Sequence, residues 1–240
     1  MGCQTPAEKP RSVIARPTHA HESPTGGHRL MGTTGSRARI VSTLLAMAGA
    51  ACCEAGTYNP DRSIGDTVAG WTELPGTDGR RHSWTDLADR DAVVVVFTCN
   101  SCPYAVDYEQ RIKALAERFA GPDSRVAVVA INSNLIAEDS PAAMKQRAAA
   151  GKFLFHYLFD ESQTVARSFG AVRTPEFYVL DRERRIVYMG AMDDDTNPSA
   201  VRSRYVLDAV NALLEGREVA VKETPPVGCL IRFARRRPAR

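Results

Sequence analysis

The sequence predicts an α/β domain, and three observations carry that expectation. Strand-like and helix-like segments alternate from about residue 65 onward. Residues 92–97 are an unbroken apolar, β-branched run, the mark of a strand buried on both faces. A strand, a helix and a second buried strand then follow in turn, a βαβ unit whose crossover should be right-handed.

Taken in order, residues 67–74 read as a first strand, and Gly76-Thr77-Asp78-Gly79 supplies turn chemistry before a second short strand near Arg80. The run 92–97 should take the centre of the sheet. Pro103 stands at the favoured first position of a helix in which Tyr108, Ile112, Leu115 and Phe119 recur at spacings of four, three and four. Gly121-Pro122 stops that helix, and residues 125–131 form the second buried strand. Ser140-Pro141 caps and opens another helix that ends at Gly151. Asp160 caps a short helix through Phe169, with Gly170 as its stop. Residues 176–180 and 186–189 are two strands joined by a charged turn, an antiparallel hairpin. A last helix is predicted over 199–214, with Val206, Val210 and Leu213 on one face and Gly216 just past its end.

At 240 residues, 44% hydrophobic and 25% charged, the chain has the length for one domain with a sizeable core. The net charge of +3 is concentrated at one end, where Arg232, Arg235, Arg236, Arg237 and Arg240 crowd the last nine residues. A nucleic-acid partner would rest on that tail alone, so none is expected; a solvated end is the simpler account. Residues 1–30 lack apolar periodicity and are read as a disordered or non-native upstream segment. Residues 31–55 have the layout of a secretory signal peptide: Arg37 and Arg39, an apolar run over 40–51, then small residues. Export to the periplasm or cell envelope, an oxidising compartment, is the expectation. Membrane attachment would require lipidation near Cys52, and Gly49 three residues earlier is a poor lipobox residue.

The chemistry centres on Cys99-Asn100-Ser101-Cys102-Pro103. A buried strand delivers the chain to this loop, and Cys102 stands directly before the helix-opening proline. Its sulfur should lie near unpaired backbone N–H groups, where a thiolate is stabilised and made nucleophilic. Cys99 is close enough in sequence to form a disulfide with it, although the usual redox pair sets its second cysteine one turn inside the helix. Two other readings stay open: a small buried core residue, or half of a metal site. No second Cys-x-x-Cys follows, and His82 and His156 are the domain's histidines. Thr174-Pro175, if cis, would hold the backbone against the cysteine loop and leave an exposed peptide edge for a partner. Asp193, Asp194 and Asp195 offer a cation site or a proton-orienting group, but three acids in a loop after a strand are usually a solvated turn.

Several spaced segments together carry a resemblance: residues 92–111, Asn132-Ser133-Asn134 with Glu138-Asp139-Ser140 and Met144, residues 170–181 and 190–195, and Pro226-Val227-Gly228-Cys229. Over about residues 62–232 the chain resembles the peroxiredoxin-like branch of the thioredoxin superfamily, the redoxin or alkyl hydroperoxide reductase and thiol-specific antioxidant type. The resemblance implies a thioredoxin-like fold: a central mixed sheet of about five strands flanked by helices, with an N-terminal β-hairpin extension. The domain would run over 62–216, with 217–240 a C-terminal tail. The same resemblance makes Cys102 the nucleophilic cysteine and puts Ala105 where thioredoxin has its resolving cysteine. Against a peroxiredoxin, Cys102-Pro103 fits, Cys99 replaces the threonine that orients peroxide, and Pro175 falls near the family's arginine, with Arg173 close enough to substitute. Cys229 resembles a recurrent cysteine near the C-terminus, which would resolve oxidised Cys102 or enter a separate disulfide. Asn100, Pro103 and Thr174 are the supporting residues.

The expected function is therefore a thiol-disulfide oxidoreductase acting through Cys102, with Cys99 or Cys229 resolving the mixed disulfide. A thiol peroxidase passing through a sulfenic acid on Cys102 is the alternative. A copper module using Cys99 and Cys102 with a distant histidine is the third. The expected partners are a protein or small-molecule disulfide, or a peroxide, and an external thiol reductant; no cofactor or metal is assigned.

Overall fold

The computed structural model describes residues 56–235. In chain order its strands are β1 (Leu74–Pro75), β2 (Arg81–His82), β3 (Ala92–Phe97), β4 (Val126–Asn132), β5 (His156–Phe159), β6 (Arg173–Thr174), β7 (Glu176–Leu180), β8 (Ile186–Gly190) and β9 (Cys229–Leu230). The helices are α1 (Pro103–Arg118), α2 (Pro141–Gly151), α3 (Thr164–Phe169) and α4 (Tyr205–Leu214). Five strands make the central sheet in the order β5-β4-β3-β7-β8. β3 pairs parallel with β4 and antiparallel with β7, so the sheet is mixed. Among the described residues no helix is long and apolar enough to cross a membrane.

All six side chains of β3 are fully buried, as a strand with neighbours on both edges and cover on both faces requires. Val94 and Val96 pack with Ile112 of α1 and Val206 and Val210 of α4. Val93, Val95 and Phe97 pack on the other face with Leu87, Val165 and Phe169. Each such side chain contributes about 1.5–3 kcal/mol by leaving water, which fixes the end of β3 and the loop it feeds. Pro103 opens α1, and the Ser140 hydroxyl accepts from the Ala143 amide at 3.4 Å to cap α2. Asp160 takes the Ala166 amide at the start of α3, and Gly170 ends that helix with φ 66°. The β7–β8 hairpin and the central place of β3 are as the sequence predicts.

The structure departs from the sequence reading at five points. Residues 67–74 do not form one strand: Thr67 makes an isolated bridge to Arg185, and Leu74 alone of the rest is paired, in the two-residue β1. The segment instead lays Val68 and Trp71 into the core, and Glu73 turns it away with φ 54°. Strand β5, which the periodicity does not announce, occupies one edge of the sheet. The last helix starts at Tyr205 rather than 199, because Asp194 Oδ1 captures the amides of Arg202 and Ser203 at 2.9 and 3.0 Å and holds them in a loop. Finally, residues 217–235 are packed on the domain rather than trailing from it. Val219 and Ile231 are buried, the Met189 amide donates to the Lys222 carbonyl and the Met189 carbonyl accepts the Thr224 amide along the outer edge of β8, and β9 pairs with β6. The N-terminal boundary moves too, since Asn59 is buried and donates to the Phe169 carbonyl and the Tyr178 hydroxyl. The arginines beyond Arg235, the 1–30 and 31–55 segments and Cys52 lie outside the described residues.

Candidate active site

Phe97 ends the most buried strand, and the chain leaves it through Thr98, Cys99, Asn100 and Ser101. What shapes this loop is Asp139, fully buried at the end of a 3-10 turn after β4. Its Oδ1 accepts the amides of Asn100 and Ser101 at 2.8 and 2.9 Å, and its Oδ2 accepts the Ser101 hydroxyl at 2.7 Å and the Asn134 side-chain amide at 2.9 Å. A buried carboxylate with four donors is well satisfied and rigid. Asn100 adds a bond from Nδ2 to the Glu138 carbonyl and accepts from the Tyr157 hydroxyl.

Cys102 is the N-cap of α1, with Pro103 as the first helical residue, as the sequence implies. It is not open to solvent, however: only 1% of its surface is exposed. As a neutral thiol it donates to the Thr174 carbonyl at 3.0 Å. Burial alone would raise its pKa, but bonds from the Cys229 thiol, the Ala105 amide and the Cys229 amide outweigh burial and hold it below the ordinary 9.0. The Ala105 amide is the helix-terminal donor foreseen from Pro103. For Cys229 the same contact works in reverse. As donor to the Cys102 sulfur it holds its proton more tightly, and with some desolvation its pKa is pushed up to about 11. Burial likewise pushes Cys99 up, aided by the nearby Asp139 charge. Cys99 contacts the Thr174 hydroxyl at 3.4 Å and the Ser101 hydroxyl at 3.6 Å. Cys99, Cys102 and Cys229 are free thiols, and Ala105, fully buried beside them, confirms that no thiol stands one turn inside the helix.

Cys229 arrives through β9. Thr174 is the register partner of Cys229, and Arg173 of Leu230. The Thr174–Pro175 peptide is cis, but the peptide edge beside it is not free for a partner as the sequence reading had it: the chain's own β9 fills it. Gly228 makes this approach possible, because a Cβ there would lie 2.0 Å from the Thr174 carbonyl oxygen. Arg173 donates from its guanidinium to the Gly228 carbonyl at 2.8 Å, so it clamps β9 rather than standing free as a surface group. Further along, the Asn134 side-chain Oδ1 accepts the Arg232 amide and Gln163 Oε1 accepts the Ala234 amide. Buried Glu176 shapes the other side of the edge. It accepts the Val172 and Arg173 amides at 2.9 Å each and the Tyr178 hydroxyl at 2.6 Å, while burial holds its carboxyl above the usual range.

The structure thus brings together Cys102, Cys99, Cys229, Thr174 and Pro175, which the sequence singled out, around Asp139, Glu176 and Gly228, to which the sequence reading gave no role. A glycine directly before the distal cysteine and an acid opening an apolar strand were the available signals. The acidic loop is also corrected, since Asp193 is buried rather than solvated. It pairs with Arg111 at 2.7 Å and accepts from Tyr108, whose hydroxyl is pushed up to about 12 by burial and the Asp193 charge. The copper arrangement does not assemble. Among the described residues the one cluster spaced for a metal is Asp78, His82 and His156, which contains no cysteine.

With this geometry in view, comparison with known proteins is informative. The Redoxin family model matches residues 54–205. Among solved structures, a hypothetical protein from Sinorhizobium meliloti 1021 is 34% identical with a TM-score of 0.67, covering 72% of this chain and 96% of its own. An uncharacterized conserved protein from Geobacillus kaustophilus is 34% identical with a TM-score of 0.66, covering 74% and 94%. A peroxidoxin from Mycobacterium tuberculosis is more distant, at 22% identity, a TM-score of 0.49 and coverage of 64% and 97%. No curated protein matches the chain. The matched span takes in the central sheet and the cysteine loop that α1 follows, and on that ground the chain belongs to the Redoxin family and carries its thioredoxin-like fold.

Proposed function

We propose that this Redoxin-family protein is a thiol-disulfide oxidoreductase whose working pair is Cys102 and Cys229. The observation that carries the proposal is the packing of Cys229, held on β9 opposite Thr174 of β6, against the Cys102 thiol at the start of α1, with the pKa of Cys102 lowered and that of Cys229 raised. The Cys102 thiolate attacks a substrate disulfide, forming a mixed disulfide and releasing one substrate thiolate. Cys229, losing its proton to that leaving group or to solvent, then attacks the Cys102 sulfur. The second substrate thiol departs and a Cys102–Cys229 disulfide remains, so two electrons pass to the substrate. An external thiol reductant closes the cycle. A lowered pKa favours Cys102 as the attacking sulfur, and as the leaving sulfur when the external reductant attacks Cys229 of the disulfide.

Access is through β9. Cys102 is covered by a strand of two paired residues, and Leu230 beside it is 64% exposed. A substrate reaches the sulfur when this short strand lifts, and the strand's return brings Cys229 back for resolution. The peroxide reading is weaker here because the Arg173 guanidinium is engaged by the Gly228 carbonyl. Export of the mature protein fits disulfide chemistry, and N-terminal sequencing of the native protein tests it.

Disulfide mapping decides the pairing. After reaction with a stoichiometric small-molecule disulfide, the Cys102–Cys229 peptide should dominate. Cys102→Ser should abolish dithiothreitol-linked reduction, and Cys229→Ser should accumulate the mixed disulfide. Turnover retained without Cys102 would overturn the assignment, and a Cys99–Cys102 product would overturn the role of Cys229.

A further inference from the structure

A second cluster of ligand-type side chains lies away from the thiols, where the β1–β2 hairpin meets edge strand β5. Gly76 forms a bridge with Leu158, and the Thr77 amide donates to the Tyr157 carbonyl at 3.0 Å. These bonds bring the hairpin turn against the start of β5 and set Asp78 and His82 beside His156, a residue far away in sequence. The turn is itself fixed, with the Gly76 amide donating to the Arg80 carbonyl at 2.8 Å and the Arg80 amide to Asp78 Oδ1 at 3.0 Å. Gly76 has to be small: a Cβ there would meet Asp78 Oδ1 at 2.6 Å and His82 Nε2 at 2.9 Å. The backbone therefore runs close behind the two side chains, in space that a side chain at position 76 would take.

We propose that Asp78, His82 and His156 bind a divalent d-block cation, with Zn2+ as the reference ion, and that this ion pins the hairpin to the sheet edge. The donor atoms of the three residues lie within 4.8 Å of one another. A tetrahedral ion with bonds of about 2.0–2.2 Å wants its ligands about 3.3 Å apart. His82 Nε2 and Asp78 already approach that spacing at 3.0 and 3.1 Å, and an ångström-scale swing of the exposed His156 ring supplies the third. The two imidazoles stand 4.2 Å apart between ring centroids, and the Asp78 carboxylate meets His82 at Nε2. The Asp78–His82 bond accounts for two of the three residues. The His156 ring lies against the His82 ring and has no hydrogen-bond partner among the described residues, and a shared ion would account for its place. Two nitrogens and one oxygen favour Zn2+, Cu2+ or Ni2+ over Mg2+ or Ca2+. A three-residue set leaves a fourth position to water.

The test is a Zn2+ titration of the full reduced chain in competition with a chromogenic chelator, repeated with Co2+ to report ligand type by absorption. His156→Ala and Asp78→Asn are the informative variants, since His156 is exposed and neither change threatens the core. His82→Ala is read beside them. The wild type should bind one equivalent of Co2+ with d–d bands and no sulfur charge transfer. Cys99→Ser/Cys102→Ser/Cys229→Ser should keep that equivalent. His156→Ala should lose it or weaken it at least tenfold, with thiol-disulfide turnover unchanged, and saturating Zn2+ should raise the melting temperature of the wild type but not of that variant. An equivalent that survives His156→Ala and Asp78→Asn, one that disappears with the cysteines, or no binding at micromolar Zn2+ would each overturn the site.

Discussion

The floor of the cysteine loop, at Cys99, and its rim, at Cys102, are three residues apart and equally hidden, yet the fold treats them in opposite ways. Cys99 is closed in by the loop itself, against Thr174 and Ser101 and near the Asp139 charge, and its thiol is held in the neutral form. Cys102 is closed in by a strand from the far end of the chain, and its thiol is biased toward the anion. Burial desolvates both sulfurs, so burial does not distinguish them. What distinguishes them is the balance: at Cys102 a helix-terminal amide and a second thiol outweigh burial, while at Cys99 burial and the Asp139 charge outweigh the bonds from Thr174, Ser101 and the Cys102 amide. The floor is built to stay, and the rim is covered by something that can leave.

The comparison breaks most directly at the floor. Asp139→Ala strips the acceptor from four donors at once. Unsatisfied buried donors cost about 1–3 kcal/mol each before water relieves some of them, so urea melts should show a loss of about 3 kcal/mol or more. A loss under 1 kcal/mol would mean the loop holds its shape without its carboxylate. At the rim the expectation is reversed. Gly228→Ala drives a methyl group into the Thr174 carbonyl and should dislodge β9 at a stability cost of about 1 kcal/mol, the scale of a few short-strand contacts. Cys102 alkylation should then quicken at least tenfold, and the Cys102–Cys229 disulfide should form poorly. Unchanged alkylation would show that β9 is not the cover.

A smaller effect reads the electrostatics alone. Cys102 ionises below the ordinary thiol because Cys229 and the Ala105 amide together outweigh burial. Cys229→Ala removes one donor and leaves burial in place, so the midpoint of the iodoacetamide rate against pH should move upward. At neutral pH the thiolate fraction and the rate per thiol at matched exposure should fall. A midpoint that stays or drops would assign the shift to the helix terminus alone.

The parts of this site that were legible in the sequence are the ones written locally. An apolar run from Ala92 to Phe97, a cysteine before Pro103 and a proline before an apolar strand each announce themselves within a few residues. The cover was not legible. Cys229 was recognisable as a cysteine, but the partners of its segment, Thr174 for Cys229, Asn134 for Arg232 and Gln163 for Ala234, lie 55 or more positions away along the chain, and no periodicity encodes a strand two residues long. The same reason hides β5, whose four residues follow Phe153-Leu154-Phe155 without a break in polarity. Asp194, which delays the last helix, acts through backbone amides that any sequence would present.

The smallest expected effect concerns Cys99. Its sulfur makes two weak contacts with hydroxyls and sits in a loop that Asp139 already holds. A sulfur kept protonated is neither a good nucleophile nor a good leaving group. Cys99→Ser nearly preserves volume and both contacts, so disulfide turnover should stay within about twofold and stability within about 1 kcal/mol, the usual scale of such an exchange. Cys102→Ser, an identical chemical change three residues on, should remove turnover altogether. If Cys99→Ser instead stalls the enzyme with Cys102 and Cys229 locked as a disulfide, the floor thiol is a third member of the relay, and the contrast between floor and rim is one of timing rather than of role.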